Sequence, residues 1–182
     1  MKSLHELAKF PAGSSLLADD IIEFHAARLL LLLGLCGVSS SIDGLTKLAK
    51  LDFFVRYPQF FDKACAVLGE QVQSASTSIE SSMVRYHYGP WDHRYYKILA
   101  YLRSRGLIQI RKDGNTYKFN LTELGKQQMK QLAKDSSYGD LCSQMRRVKD
   151  TFGKKSGSTL KNLIYKIFNE EVAQKSLGEV IE

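Results

Sequence analysis

The sequence predicts a mainly α fold with a small β-hairpin in its second half, and three observations carry that prediction. Apolar residues recur at three- and four-residue steps through most of the chain, which is the helical period. The stretch "LIQIRKDGNTYKFNL" (107–121) instead alternates around an Asp-Gly pair, as a tight hairpin does. Prolines stand where helices are expected to begin, and glycines where they are expected to end.

Taken in order, Asp19 or Asp20 can cap a helix through "IIEFHAARLLLLLGLCG", ended by Gly34 or Gly37. After the loop "SSSIDG", the run "LTKLAKLDFFVRYP" places Leu45, Leu48, Leu51 and Val55 at helical spacing, and Pro58 closes it. "PQFFDKACAVLG" reads as a short helix that begins at a proline and stops at Gly69. "EQVQSASTSIESS" (70–82) is polar and Ser-rich, the composition of a mobile connection. "MVRYHY" alternates and is rich in strand formers, so a short strand is expected. "GPWDHRYYKILAYLRSRG" is expected to be a helix from Pro90 to Gly106. The hairpin follows, and "LTELGKQQMKQLAK" then makes a helix capped by Thr122. "MRRVKDTFGKKSGST" reads as a basic linker. Beyond it, "TLKNLIYKIFNEEV" puts Leu160, Leu163, Ile164, Ile167 and Phe168 on one stripe, with Thr159 or Ser158 as cap. Such a stripe suits either a packed core helix or a helix docked in a partner's groove. The expected organisation is a helical region over 1–72, a unit over 83–135, and a basic linker with an amphipathic helix over 140–182. No internal repeat is present.

With 182 residues, 44% hydrophobic and 25% charged, the chain has a globular rather than a disordered composition. Its three cysteines, Cys36, Cys65 and Cys142, are too far apart for a CxxC pair or a zinc knuckle, so thiols in a reducing compartment are expected. The most apolar run, "LLLLLGLCGV", is far shorter than the ~20 residues a membrane span needs. The N-terminal "MKSLHELAKFPAGSS" has no apolar h-region. A cytoplasmic location with no membrane partner is the expectation.

Charge is placed unevenly along the chain. The formal total is +7, yet residues 1–82 carry 7 Lys/Arg against 9 Asp/Glu. Residues 83–121 carry 8 against 2, and residues 144–168 carry 7 against 1. Two basic segments on an acidic-to-neutral background fit a polyanion footprint, and they equally fit solvated faces. For catalysis the residues offer little. The histidines His5, His25, His87 and His93 are scattered; His87 and His93 straddle "YGPW", but no third metal ligand accompanies them. No Gly-rich phosphate loop, Ser-His-Asp order or carboxylate pair stands out. No catalytic residue, cofactor or metal is expected, and the chain is read as no enzyme.

Helix, hairpin, helix at these lengths is the second half of a winged helix-turn-helix (α+β), here preceded by a helical N-terminal part and followed by a C-terminal helix. The stretch "ILAYLRSRGLIQIRKDGNTYKFNLTELGKQQMKQL" resembles MarR-like and PadR-like regulators, which share the pattern carried here by Leu102, Gly106, Leu107, Ile108, Leu121, Thr122 and Gly125. On a helix from Pro90 to Arg105, Tyr95, Ile98, Leu99 and Leu102 share one face, while Arg94, Lys97, Tyr101 and Arg105 recur on another. In DNA-binding winged helices this helix enters the major groove and the hairpin lies against phosphate. The DNA-contact candidates are therefore Arg94, Lys97 and Arg105 on the helix, and Arg111, Lys112 and Lys118 on the wing. Few Asn, Gln or Ser residues are placed to read base edges, so contact with double-stranded DNA is expected to be sequence-independent. Trp91 is expected to staple the helix start onto the hairpin, or else to anchor a protein interface. With Leu160, Leu163, Ile164, Ile167 and Phe168 it forms the set of partner-docking candidates.

A wider resemblance covers roughly residues 20–125. "FHAARLLLLLGLCG", "IDGLTKLAKLDFFVRYPQFF" and "SMVRYHYGPWDHRYYKILAYLRSRGLI" are similar to the middle components of bacterial ABC-three-component defence systems, the group that includes the Lamassu anti-phage systems. The resemblance implies a small non-enzymatic subunit, partnered by an SMC-like ATPase and by an effector that is often a nuclease. It would help sense foreign DNA and restrain or release the effector, much as small winged-helix KITE proteins accompany SMC complexes. It assigns no individual site residue. The alternative is a free-standing dimeric transcriptional regulator on a palindromic operator, with "TLKNLIYKIFNEEV" as the dimer element.

Overall fold

The computed structural model describes residues 21–70 and 82–181, so the expected cap at Asp19 or Asp20 and the connection over 71–81 lie outside the described residues. The chain is mainly helical, with two small antiparallel sheets. Helix α1 (Ile22–Leu35) is buried on every side from Leu29 to Leu33. Strand β1 (Ser41–Asp43) leads into α2 (Leu45–Arg56), which is buried without a break from Leu48 to Arg56. An amphipathic helix shows one apolar stripe. This one is enclosed all round, and its Lys50, Asp52 and Arg56 are inside with the rest. Pro58 opens α3 (Pro58–Leu68), and Gly69 closes it with φ +73°, as expected.

The next elements depart from the sequence reading. Strands β2 (Met83–Tyr86) and β3 (Gly89–Trp91) form a hairpin, with Arg85 opposite Pro90 and Val84 opposite Trp91. Pro90 therefore sits in a strand and does not start a helix. β3 is an edge strand, where a residue without an N–H is tolerated. Helix α4 (Tyr95–Ser104) begins only after Asp92, whose Oδ1 accepts the Arg94 N–H at 2.9 Å. Strands β4 (Ile108–Asp113) and β5 (Thr116–Leu121) make the expected hairpin, with Gly114 at φ +56° in its turn. The stretch "SSSIDG" is not all loop: β1 pairs along β5, Ile42 opposite Phe119, giving the sheet order β1-β5-β4.

Helix α5 (Glu123–Leu132) is capped by Thr122, whose Oγ1 accepts from the Gly125 N–H at 3.0 Å. The same hydroxyl donates to the Gly106 carbonyl at 2.7 Å. A Cβ on Gly125 would lie 2.0 Å from the Leu107 carbonyl oxygen, so glycine lets the chain leaving α4 press against the first turn of α5. The Leu-Thr-x-x-Gly spacing thus has a packing cause.

The expected basic linker is mostly helix. α6 (Gly139–Phe152) buries Met145, Val148 and Phe152, and its cations lie on the other faces. α7 (Gly157–Ile167) is capped by Ser156, which accepts from the Thr159 N–H at 3.1 Å, so the cap is neither Thr159 nor Ser158. Strand β6 (Val180–Ile181) joins β2, and the Tyr57 hydroxyl ties both, accepting from Met83 N at 2.7 Å and donating to the Ile181 carbonyl at 2.8 Å. Residues from all three expected regions enter one core. Leu160, Ile164 and Phe168 are fully buried there, and Leu163 and Ile167 are half-buried. Of the two readings of that stripe, this burial fits the packed core helix, with the apolar face of α7 lying against α2 and α3.

Candidate nucleic-acid interface

Helix α4 buries Tyr95, Ile98, Leu99 and Leu102, the face the spacing predicts. Its outer side carries Tyr96, Lys97, Ala100 and Arg103. Arg103 was not among the expected contacts, although it lies seven residues from Tyr96 and so on the same stripe. Arg105 sits just past the helix, exposed, with its guanidinium 5.2 Å from the Tyr101 ring. Through Gly106 the chain runs directly into the hairpin, where Arg111 and Lys112 are exposed.

Two expected contacts are otherwise engaged. Lys118 pairs with Asp113 at 2.6 Å and faces Asp43 across the sheet, so carboxylates offset its charge. The Asp113 pairing also raises its pKa. Arg94 is drawn inward: its Nε and Nη2 hold Asp92 at 2.9 and 2.8 Å, and Nη1 reaches His25 Nε2 at 2.9 Å. It positions α4 and is not a surface contact.

Arg94 belongs to a buried polar cluster that sequence reasoning missed. Arg28 Nε donates to Asp52 Oδ1 at 3.1 Å, and Arg56 Nη1 to Asp92 Oδ2 at 2.9 Å. Arg56 Nη2 also bonds the Ser82 carbonyl, and the Tyr95 hydroxyl donates to Asp52 Oδ2 at 2.7 Å. Arg28, Asp52 and Arg56 are all but inaccessible to water. Burial alone would raise the Asp92 carboxyl pKa, but hydrogen bonds from Arg94 and the charge of Arg56 outweigh it and hold the group well below the usual carboxylate range. Burial and the neighbouring Asp52 charge push the Tyr95 hydroxyl well up. The cluster ties α1, α2 and the β3–α4 turn together, and so fixes the angle at which α4 is presented. The available signal was charge inside otherwise apolar runs: Arg28 before five leucines, and Asp52 and Arg56 among Leu51, Phe53, Phe54 and Val55.

Lys50 is a second buried charge. Its Nζ donates to the Pro90 carbonyl at 2.8 Å, and the side chain is enclosed. Burial, reinforced by the charge of Lys161, lowers its pKa to about 7. The unfolded chain keeps this proton to near pH 10, so stability rises with pH once folded Lys50 is neutral. Between pH 7 and ~8, where unfolded thiols are still mostly protonated, the gain from Lys50 is expected to be about 1 kcal/mol. Urea midpoints across that window check it: Lys50→Met should flatten the slope, and an equal slope in both proteins removes Lys50 as its source.

Trp91 is half-buried and joins the β2–β3 hairpin to the first turn of α4. Its ring stacks on Tyr86 at 5.8 Å and meets Tyr95 edge-on at 5.2 Å. His87 and His93 are exposed, and among the described residues no group of three His, Cys, Asp or Glu side chains could hold a metal ion. All three cysteines are free and buried. No helix among the described residues is long and apolar enough to cross a membrane. Comparison with family models, with curated proteins and with solved structures finds no match for the chain.

Proposed function

We propose that the chain is a non-enzymatic winged-helix subunit of a bacterial SMC-like anti-phage complex, which scaffolds the ATPase and an effector nuclease and contacts the phosphate backbone of DNA. The observation that carries the DNA part is the run of exposed cations Lys97, Arg103, Arg105, Arg111 and Lys112 along α4 and the hairpin that follows it. The winged-helix part is supported by the sheet order β1-β5-β4 and by the succession α1, β1, α2, α4, β4, β5, with α3 and the β2–β3 hairpin inserted before α4. The complex itself is supported by the resemblance over residues 20–125. In the rival reading, a dimeric regulator, α7 is the dimer element, but Leu160 and Ile164 of α7 are fully buried within one chain.

Two measurements test this. Affinity purification of the tagged chain from its host after nuclease treatment, followed by mass spectrometry, should retain a large coiled-coil ATPase. Recovery of a lone dimer would transfer the assignment to a regulator. For the DNA contact, the variant Arg103→Glu/Arg111→Glu/Lys112→Glu is expected to weaken binding to a labelled duplex more than about tenfold at low salt and to flatten the salt dependence by roughly three contacts. Unrelated duplexes should bind the native chain alike. Unchanged affinity in the variant would remove this surface from the account.

A further inference from the structure

A cleft of about 630 Å³ opens on the other side of the wing, between the hairpin tip, the first turn of α2 and the α6–α7 junction. It is lined by Lys47, Lys154, Lys155 and Lys161, with the Asp43 carboxylate at its sheet edge. Lys154, Lys155 and Lys161 pair with no carboxylate among the described residues. Lys47 spends its Nζ on the Gly153 carbonyl at 2.8 Å, which fixes the α6–α7 turn, and Asp43 lies beside Lys118 across the sheet. The balance in the cleft is strongly positive.

Two further features share this opening. The first residue of α7 packs against the first turn of α2, where a Cβ on Gly157 would lie 2.9 Å from the Lys47 nitrogen. Both helices therefore direct their positive ends into the cleft, and α2 has no side-chain cap. Two tyrosines also line it, Tyr88 from the β2–β3 turn and Tyr117 from the wing, and they are 60% and 51% exposed. Lys161 Nζ lies 5.8 Å from the Tyr88 ring centroid. Behind that turn, the enclosed Lys50 Nζ lies close to Gly89 and donates to the Pro90 carbonyl. A cluster of ammonium groups in a concave site attracts a polyanion, and exposed aromatic rings beside it offer a π-face to a base.

We infer that this cleft binds one nucleotide unit of an unpaired strand, with its phosphoryl oxygens on Lys154, Lys155 and Lys161 and its base against Tyr88 or Tyr117. Lys97, Arg103, Arg105 and Arg111 of the α4–wing surface lie outside the cleft lining, whereas Lys112 stands directly opposite Tyr117 in the hairpin and so borders the cleft. The inference rests on the nucleic-acid reading above only for the source of the nucleotide; a free nucleotide presents the same chemistry.

The test is fluorescence anisotropy of labelled oligothymidylate with the full chain. Lys154→Gln/Lys155→Gln/Lys161→Gln is expected to weaken binding at least about tenfold, since each lost cation is a lost phosphate contact. Tyr88→Ala, at an exposed position, is expected to weaken it by about tenfold through lost stacking. The duplex-surface variant Arg103→Glu/Arg111→Glu, which spares Lys112 beside Tyr117, should leave oligothymidylate binding essentially intact. Wild-type affinity in both cleft variants overturns the inference, as does equal loss in the cleft and duplex-surface variants, which would make the two surfaces one. Should the native chain bind oligothymidylate through the cleft but no duplex, the cleft stands and the duplex contact proposed above fails. Thymidine monophosphate competing as well as the oligonucleotide assigns the source as a free nucleotide, and failure to compete assigns it as a strand.

Discussion

Replacing Asp52 by alanine is expected to destabilise the protein by about 3–5 kcal/mol, because removing one partner of a buried ion pair leaves the others charged and unpaired in the core. Asp52 lies inside α2, and its two oxygens receive Arg28, Arg56 and the Tyr95 hydroxyl. At about 2–4 °C per kcal/mol for a chain of this size, the melting temperature should fall by roughly 10 °C. Asp113→Ala, at the exposed pair on the wing, serves as the control and should melt like the native protein. A near-native melt for Asp52→Ala would mean that water or rearrangement satisfies the cluster, and that it does not lock α1, α2 and α4 together.

The pH dependence of the same cluster has a definite sign. The Asp92 carboxyl is held below its unfolded value, so its contribution is fully present above about pH 4 and is lost as pH falls through the folded value. Acid unfolding of the native chain should therefore be steeper than that of Asp92→Asn. The functional consequence follows from the geometry. Arg94 bonds both Asp92 oxygens and starts α4, so loosening this end would blur the angle at which Lys97 and Arg103 are presented to the DNA proposed above.

What was legible in the sequence is what local pattern encodes. Gly114 and the alternation around it mark the hairpin, Thr122 marks the start of α5, and Pro58 and Gly69 bracket α3. What was not legible depends on partners far along the chain. β1 is only three residues long and exists because Ile42 finds Phe119. Pro90 looks like a helix start until Arg85 lies opposite it. Arg94 reads as one more cation on a basic helix, whereas Asp92 and His25 turn it inward. Charge type alone indicates solvent, and only the distance from Arg28 to Asp52, 24 residues apart, shows that these charges neutralise one another inside. The cleft is of the same kind. Its lysines come from α2, the α6–α7 turn and α7, and nothing in the spacing of Lys47, Lys154 and Lys161 announces that they meet.

The tail stripe poses the sharpest of these questions, because one periodicity serves a core and a docking helix equally well. Phe168 decides between them. Its ring lies 4.8 Å from Phe60 and 6.3 Å from Phe53, and Lys63 Nζ approaches its face at 5.6 Å. A fully buried phenylalanine cut to alanine costs about 3–5 kcal/mol. Phe168→Ala is therefore expected to lower the urea midpoint strongly in the isolated chain, with no partner present. A docking residue behaves in the opposite way: its loss leaves the free chain as stable as before and weakens only the complex. Should Phe168→Ala unfold at the native urea concentration yet lose the ATPase proposed above as partner, α7 would be the docking helix after all. A large fall in the midpoint places the partner surface elsewhere. The exposed aromatic side of the β2–β3 hairpin, where Tyr86 stacks on Trp91 and Tyr96 lies 6.0 Å away, is then the next face to mutate.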